Sequence, residues 1–167
     1  MTVFYYNGIK KIYFNKIIDE IISVASLHDN KSNILDFGCG SKQLQTRLNK
    51  KIFNYDINPL YSDFADYSNL DFDIVIFNHV FMYMTQNEIK SILGKIKQKN
   101  KFCKIVIGIS RVSLINKIAS WITFNFYAHK GVKSNSSQQL KTLLSQLELI
   151  SKRTVYNMTD IYYCKFK

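Results

Sequence analysis

The chain has 167 residues, 47 % of them hydrophobic and 21 % charged, which suits one folded domain with its own core. No run approaches the roughly 18 uninterrupted apolar residues of a membrane span, and Cys39, Cys103 and Cys164 are too far apart for a disulfide frame or a zinc site. The formal charge of +11 excludes little by itself: of the 23 basic residues only Arg47, Arg111 and Arg153 are arginine, the side chain shaped for bidentate phosphate recognition. The positive charge therefore reads first as solvated surface, including the cluster Lys95, Lys97, Lys99, Lys101 and Lys104, with RNA or an anionic membrane as the alternative partners.

The stretch Met1–Gly8 lacks the apolar core of a secretory signal, so a cytoplasmic, reducing setting is the expectation. Phe14, Ile17, Ile18, Ile21, Ile22 and Ala25 recur at three- and four-residue steps and predict an amphipathic helix over 9–27. A polar turn over 28–32 leads into a buried strand at 33–37. Ser41 is the expected N-cap of a short helix carrying Leu44 and Leu48. A second strand is predicted over 52–56, ending at Asn58-Pro59, and a very short extended piece over 62–65.

Phe72 to Phe77 form the clearest strand. Thr85, with Glu88 three positions on, predicts a capping box opening a helix to about residue 98. A strand at 102–109 follows, then an aromatic-rich helical segment at 112–127 and a helix over 136–147 starting near Ser136. Leu147–Tyr156 and Asp160–Phe166 read as two antiparallel strands joined by a short turn. Strand and helix in alternation, closed by a hairpin, predict an α/β, Rossmann-like three-layer sandwich. Its sheet is mostly parallel and seven-stranded, with one antiparallel strand near the C-terminus. The whole chain is expected to be one domain, with an N-terminal helix within 1–30 and a variable segment at 110–135.

In an open sheet of this kind ligands lie beyond the carboxyl ends of the strands. The residues placed there are Asp36 with the loop Gly38-Cys39-Gly40, Asp56 with Ile57, Asp66 with Tyr67, and Asn78 with His79. Glycine lets a backbone turn tightly and approach a ligand closely. A carboxylate at the end of the second strand suits two vicinal hydroxyls.

Together these motifs resemble the class I S-adenosylmethionine-dependent methyltransferases. Leu-Asp-Phe-Gly-Cys-Gly at 35–40 is similar to the first family motif and Tyr-Asp-Ile-Asn-Pro at 55–59 to the second. Ala65-Asp66-Tyr67 is similar to the third, and Phe72 to Phe81 to the fourth. The resemblance implies S-adenosyl-L-methionine as cofactor and S-adenosyl-L-homocysteine as product. It also implies a loop ordered by Asp36, ribose bound by Asp56, and adenine met by Asp66, with Asp63 its competitor. Where the family places a third glycine this chain has Lys42, which could orient the cofactor carboxylate or project into solvent.

His79 and His129 are the candidate bases for an acceptor hydroxyl, each set against a plainer reading as pocket wall or loop residue. Tyr83 and Tyr127 could line the acceptor pocket. The apolar stripe Leu114, Ile115, Ile118, Trp121, Ile122, Phe124 and Phe126 reads as core packing, as a greasy acceptor pocket, or as a peripheral membrane contact. A small-molecule, sugar or lipid-linked acceptor is the expected substrate. The alternatives are an RNA methyltransferase, against which the absence of an Asn-Pro-Pro-type motif at 78–81 counts, and a non-catalytic cofactor-binding subunit. A nicotinamide fingerprint would need a glycine where Gln43 stands. Isolated His28, His79 and His129 predict no metal.

Overall fold

A computed structural model describes residues 9–29, 31–111 and 133–167. Helix α1 (Ile9–Val24) precedes strand β1 (Ile34–Phe37), helix α2 (Gln43–Leu48), β2 (Phe53–Tyr55) and β3 (Ile74–Asn78). After a single 3-10 turn at Phe81–Tyr83 come α3 (Gln86–Lys99), β4 (Lys104–Ser110), α4 (Ser136–Gln146), β5 (Leu147–Val155) and β6 (Thr159–Phe166). The sheet order is β2-β1-β3-β4-β6-β5. Strands β2, β1, β3 and β4 pair in parallel, and β6 runs antiparallel to both of its neighbours.

Among the described residues the sheet has six strands, where the sequence predicts seven. The expected strand at 62–65 does not form because its polar groups are spent on local turns. The Phe64 amide donates to the Ser62 hydroxyl, which itself donates to the Phe64 carbonyl, and toward β2 only Asp63 reaches, through its amide and carboxylate at Asn54. The reversed strand lies inside the sheet rather than at its end, since β6 inserts between β4 and β5. The predicted aromatic segment at 112–127, with Tyr127 and His129, lies outside the described residues.

Both faces of β1, β3 and β4 are covered, as parallel strands require. On one face Ile34, Ile74, Ile76 and Val106 pack with Ile17, Ile21, Leu44 and Leu48 of α1 and α2. On the other, Leu35, Val75, Phe77, Ile105 and Ile107 pack with Ile89, Leu93 and Ile96 of α3 and with Leu143 of α4. The capping box of α3 is present: Glu88 N donates to the Thr85 hydroxyl and Thr85 N to the Glu88 carboxylate. Helix α4 starts at Ser136 as expected and is capped by Asn135, with Gln138 completing its box. Ser41 does not cap α2. Its place is taken by Lys42, which adopts a left-handed conformation (φ 57°).

No helix among the described residues is long and apolar enough to cross a membrane.

Candidate functional site

The chain leaves β1, moves outward to β2, and returns to β3 on the far side of β1. That reversal opens a crevice at the carboxyl ends of β1 and β3, the place where open α/β sheets bind ligands. Two glycines form its floor. Gly38 has φ +80°, and a Cβ on it would lie 2.5 Å from Val80 Cγ2, so the loop can rest on Val80, two residues beyond β3, only without a side chain. At Gly40 (φ +48°) an added Cβ would meet nothing within 4 Å, which leaves that side of the loop open.

Asp56 ties this loop to the end of β2. One carboxylate oxygen accepts from Gly40 N at 3.0 Å and the other from Asn58 N at 2.9 Å. The amides of Gly38 and Cys39 both donate to the Tyr55 carbonyl, at 2.7 and 3.1 Å. Three backbone donors of the β1 loop thus fix it against the β2 tip, and the Asn58 amide orients Asp56 within that tip. Ile57, next in sequence, is 93 % exposed.

Asp36 is buried beneath the loop. Burial, and then the charge of Asp56, push its carboxyl up to about 7. None of the ion pairs among the described residues involves Asp36. A carboxylate so placed suits a cationic ligand that would supply the missing counter-charge. The Cys39 thiol lies 3.4 Å from the Tyr61 carbonyl, and burial together with Asp36 and Asp56 pushes it up to about 12, so it is no nucleophile at neutral pH.

The Lys42 ammonium is taken up by a partly exposed ion pair with Asp63, whose second oxygen accepts from Asn54 Nδ2 at 2.8 Å. Asn54 also donates to Gln45 at 2.7 Å. The Lys42 backbone keeps the positive φ that a third glycine would adopt without strain, and the ion pair with Asp63 anchors the side chain that replaces it. Asp66 is exposed and held in a local turn, accepting from the Ser68 amide at 3.0 Å and from the Ser68 hydroxyl. Those bonds hold its carboxyl below the ordinary range. Tyr67 packs edge-on against Phe37 and Tyr55, with ring centroids 5.1 and 5.0 Å away.

Asn78 ends β3 with its buried Oδ1 lacking a hydrogen-bond partner among the described residues. That oxygen lies over Gly108 of β4, where a Cβ would sit 2.7 Å from it. A glycine inside an otherwise branched strand is a legible sign of close approach, and Gly108 is the site-shaping residue that the sequence reading passed over.

His79 has φ 59° and donates its amide to the Gly108 carbonyl at 3.0 Å. Its Nδ1 is 3.1 Å from Ser110 Oγ and its Nε2 is 3.4 Å from Thr159 Oγ1, which in turn meets the Tyr13 hydroxyl at 2.5 Å. Burial pushes the imidazole down to about 4. The ring is therefore neutral at physiological pH, with both nitrogens engaged by hydroxyls from β4 and β6. In 15N NMR its nitrogens should keep the neutral one-proton pattern without titrating between about pH 5.5 and 8, and a midpoint near the ordinary histidine value of about 6.5 would show that the ring is open to solvent.

No protein-family model matches this chain, and no curated protein matches it in sequence. Solved structures do. Magnesium protoporphyrin IX methyltransferase (ChlM) from Synechocystis PCC 6803, with bound SAH, superposes with a TM-score of 0.65 at 14 % identity over 100 % of this chain and 90 % of its own. The PH0226 protein from Pyrococcus horikoshii OT3 does so at 0.67 and 12 % identity, with 100 % of each chain covered. The N-methyltransferase NodS from Bradyrhizobium japonicum WM9, in complex with S-adenosyl-L-homocysteine, gives 0.64 and 11 % identity over 92 % of this chain and 87 % of that one. The sheet order, the glycine-floored crevice and these superpositions together give the chain the fold of the class I S-adenosylmethionine-dependent methyltransferases.

Proposed function

We propose that the protein is an S-adenosylmethionine-dependent methyltransferase acting on a small-molecule, sugar or lipid-linked acceptor. The observation that carries this reading is Asp36, a buried carboxylate beneath the Gly38–Gly40 loop with no ion-pair partner among the described residues. A donor bearing a sulfonium and an ammonium group offers the positive charge that this carboxylate lacks. S-adenosyl-L-methionine supplies a sulfonium methyl that passes in line to an acceptor nucleophile.

The chain's own residues would hold the donor and leave the acceptor side free. Asp56 is placed to accept from ribose hydroxyls beside Gly40, and Asp66 or Asp63 to meet the adenine amine. Asn78 would line the floor between β1 and β4. Placing donor and nucleophile together supplies much of the acceleration in such a transfer, so a histidine at the end of β3 that burial makes a weak base is compatible with the chemistry. His79, neutral and hydrogen-bonded on both sides, acts as wall and brace rather than as a free base. His129 keeps the candidacy that its place in the sequence suggests. The similar solved structures named above include two methyltransferases described with bound SAH.

Calorimetry with S-adenosyl-L-homocysteine and with NAD tests the reading, binding of the former alone being the expected result. Asp56→Ala should weaken binding of S-adenosyl-L-homocysteine by about 1–3 kcal/mol, since it removes a charged acceptor and unties Gly40 from β2. Unchanged affinity would reduce Asp56 to a turn former. Labelled methyl transfer into crude lipid, RNA and metabolite extracts then sorts the acceptors.

A further inference from the structure

A second concavity, of about 220 Å³, opens at the carboxyl end of β4, where Ser110, Arg111, Ser136, Ser137, Asp160 and Tyr162 line it. Its position follows from the sheet order. The tips of β2, β1, β3 and β4 stand side by side in that sequence and carry Asp56, the Gly38–Gly40 loop, Asn78-His79 and Ser110. Strands in a sheet are about 4.8 Å apart, so this cavity begins roughly 10 Å from the loop. It lies on the side away from Asp56, where a donor seated over β1 and β3 would meet its acceptor.

The charge of the cavity is decided by a short inventory. Asp160 is its one carboxylate among the described residues, and it is nearly enclosed. Burial alone would raise its pKa, yet the Thr154 hydroxyl and the Lys152 ammonium hold it below the ordinary range. Lys152 Nζ is 2.9 Å from Asp160 Oδ2, and Arg111 Nε is farther, at 3.6 Å from the same oxygen. Within the lining Arg111 and Asp160 balance, and Lys152, pairing with Asp160 from outside the lining, leaves one positive charge in excess at its edge. His79, behind Ser110, is neutral and adds nothing to the count. Residues 1–8, 30 and 112–132 contain no Asp or Glu, so no carboxylate from them can cancel the excess.

The polar lining matches that charge. The Ser110 hydroxyl is held by the His79 ring, and the Ser136 hydroxyl donates to the Ser110 carbonyl, which fixes the start of α4 against the end of β4. Arg111 is anchored through its amide to the Met158 carbonyl at 2.8 Å and through its guanidinium to Asn157. Leu140 and Ile109 give the cavity an apolar flank. A cationic edge, hydroxyls and an apolar wall in a space of this size suit a small ligand with an anionic oxygen group on a hydrophobic body.

We infer that this cavity is the acceptor subsite and that it selects a small methyl acceptor carrying a carboxylate or phosphate, held by Arg111 and the Ser137 hydroxyl. The assignment rests on the methyltransferase reading above.

Benzoate, inorganic phosphate and neutral benzyl alcohol serve as probes, titrated into the 15N-labelled full chain with and without saturating S-adenosyl-L-homocysteine. The expected result is saturable amide shifts at Ser110, Arg111, Ser136 and Ser137 with benzoate or phosphate, at least fivefold weaker with benzyl alcohol, and retained when S-adenosyl-L-homocysteine is bound. Arg111→Gln should weaken benzoate at least fivefold. Ser137→Asp should do the same while leaving the fold intact, because Ser137 is exposed in the first turn of α4, where an acidic side chain is favourable. Both variants should bind S-adenosyl-L-homocysteine like the parent. Equal binding of benzoate and benzyl alcohol, or benzoate binding unaltered in both variants, overturns the anion preference. Displacement of benzoate by S-adenosyl-L-homocysteine overturns the acceptor assignment. Absent benzoate binding with S-adenosyl-L-homocysteine binding intact overturns the subsite alone, whereas failure of the parent to bind S-adenosyl-L-homocysteine overturns the methyltransferase reading beneath it.

Discussion

Replacing Asp36 with asparagine is expected to stabilise the empty protein at pH 8 while weakening its hold on a cationic donor. The folded carboxyl sits at about 7 and an unfolded aspartate near 3.8, so the native state prefers the protonated form. A raised folded pKa adds stability that is fully present below about pH 4 and is lost as pH rises through 7. The asparagine amide mimics the protonated carboxyl at every pH. Chemical denaturation of the two proteins should therefore agree near pH 4, diverge through the window from 4 to 7, and differ above it by on the order of 2–4 kcal/mol in favour of Asp36→Asn.

Donor binding should move the opposite way. In the parent, seating a cation beside Asp36 requires the ionised carboxylate, so affinity for S-adenosyl-L-methionine should fall as pH drops below 7, with proton release on binding. In Asp36→Asn that pH dependence should vanish, and affinity at pH 8 should drop by about tenfold or more, a loss of at least ~1.4 kcal/mol. Calorimetry in buffers of different ionisation enthalpy reads both effects. A parent whose affinity is flat from pH 5.5 to 8 would show that Asp36 does not sense the donor.

Gly38→Ala should unsettle the fold itself. The added Cβ would stand 2.5 Å from Val80 Cγ2 while the backbone holds φ +80°, so it combines overpacking with a left-handed strain that only glycine avoids. A loss of about 2–4 kcal/mol is expected, or roughly 5–15 °C in Tm for a domain of this size. Val80→Ala removes the nearer obstacle. The double variant should then be less destabilised than the sum of the singles by at least about 1 kcal/mol, leaving mainly the backbone strain. Strict additivity would mean that the β1 loop does not rest on Val80 in solution.

Asp56→Ala acts on the same crevice by another route. It leaves the backbone unstrained but frees Gly40, so its effect should appear in ligand affinity more than in stability.

The elements that the sequence determined alone are those whose signal is local. Hydrophobic periodicity placed α1, the unbroken apolar run placed β3, and Thr85 with Glu88 placed the start of α3, because each depends on contacts within a few residues. The strand tips carrying Asp36, Asp56 and Asn78 were legible for the same reason: strand, then glycine or acid, then helix is a pattern along the chain. The tertiary structure alone decided what those residues face. The strand expected at 62–65 failed because Ser62 closes a turn on Phe64 and Asp63 alone meets β2, at Asn54, with its carboxylate shared with Lys42. His79 could be read in sequence as base or as pocket wall; burial makes its ring a weak base, and β4 and β6 bring hydroxyls 31 and 80 residues away to its two nitrogens. Lys42 looked like a loop cation, and its charge is taken by Asp63. The pKa and partners of a polar side chain are set by burial and by charges from distant segments, and no spacing along one chain records them.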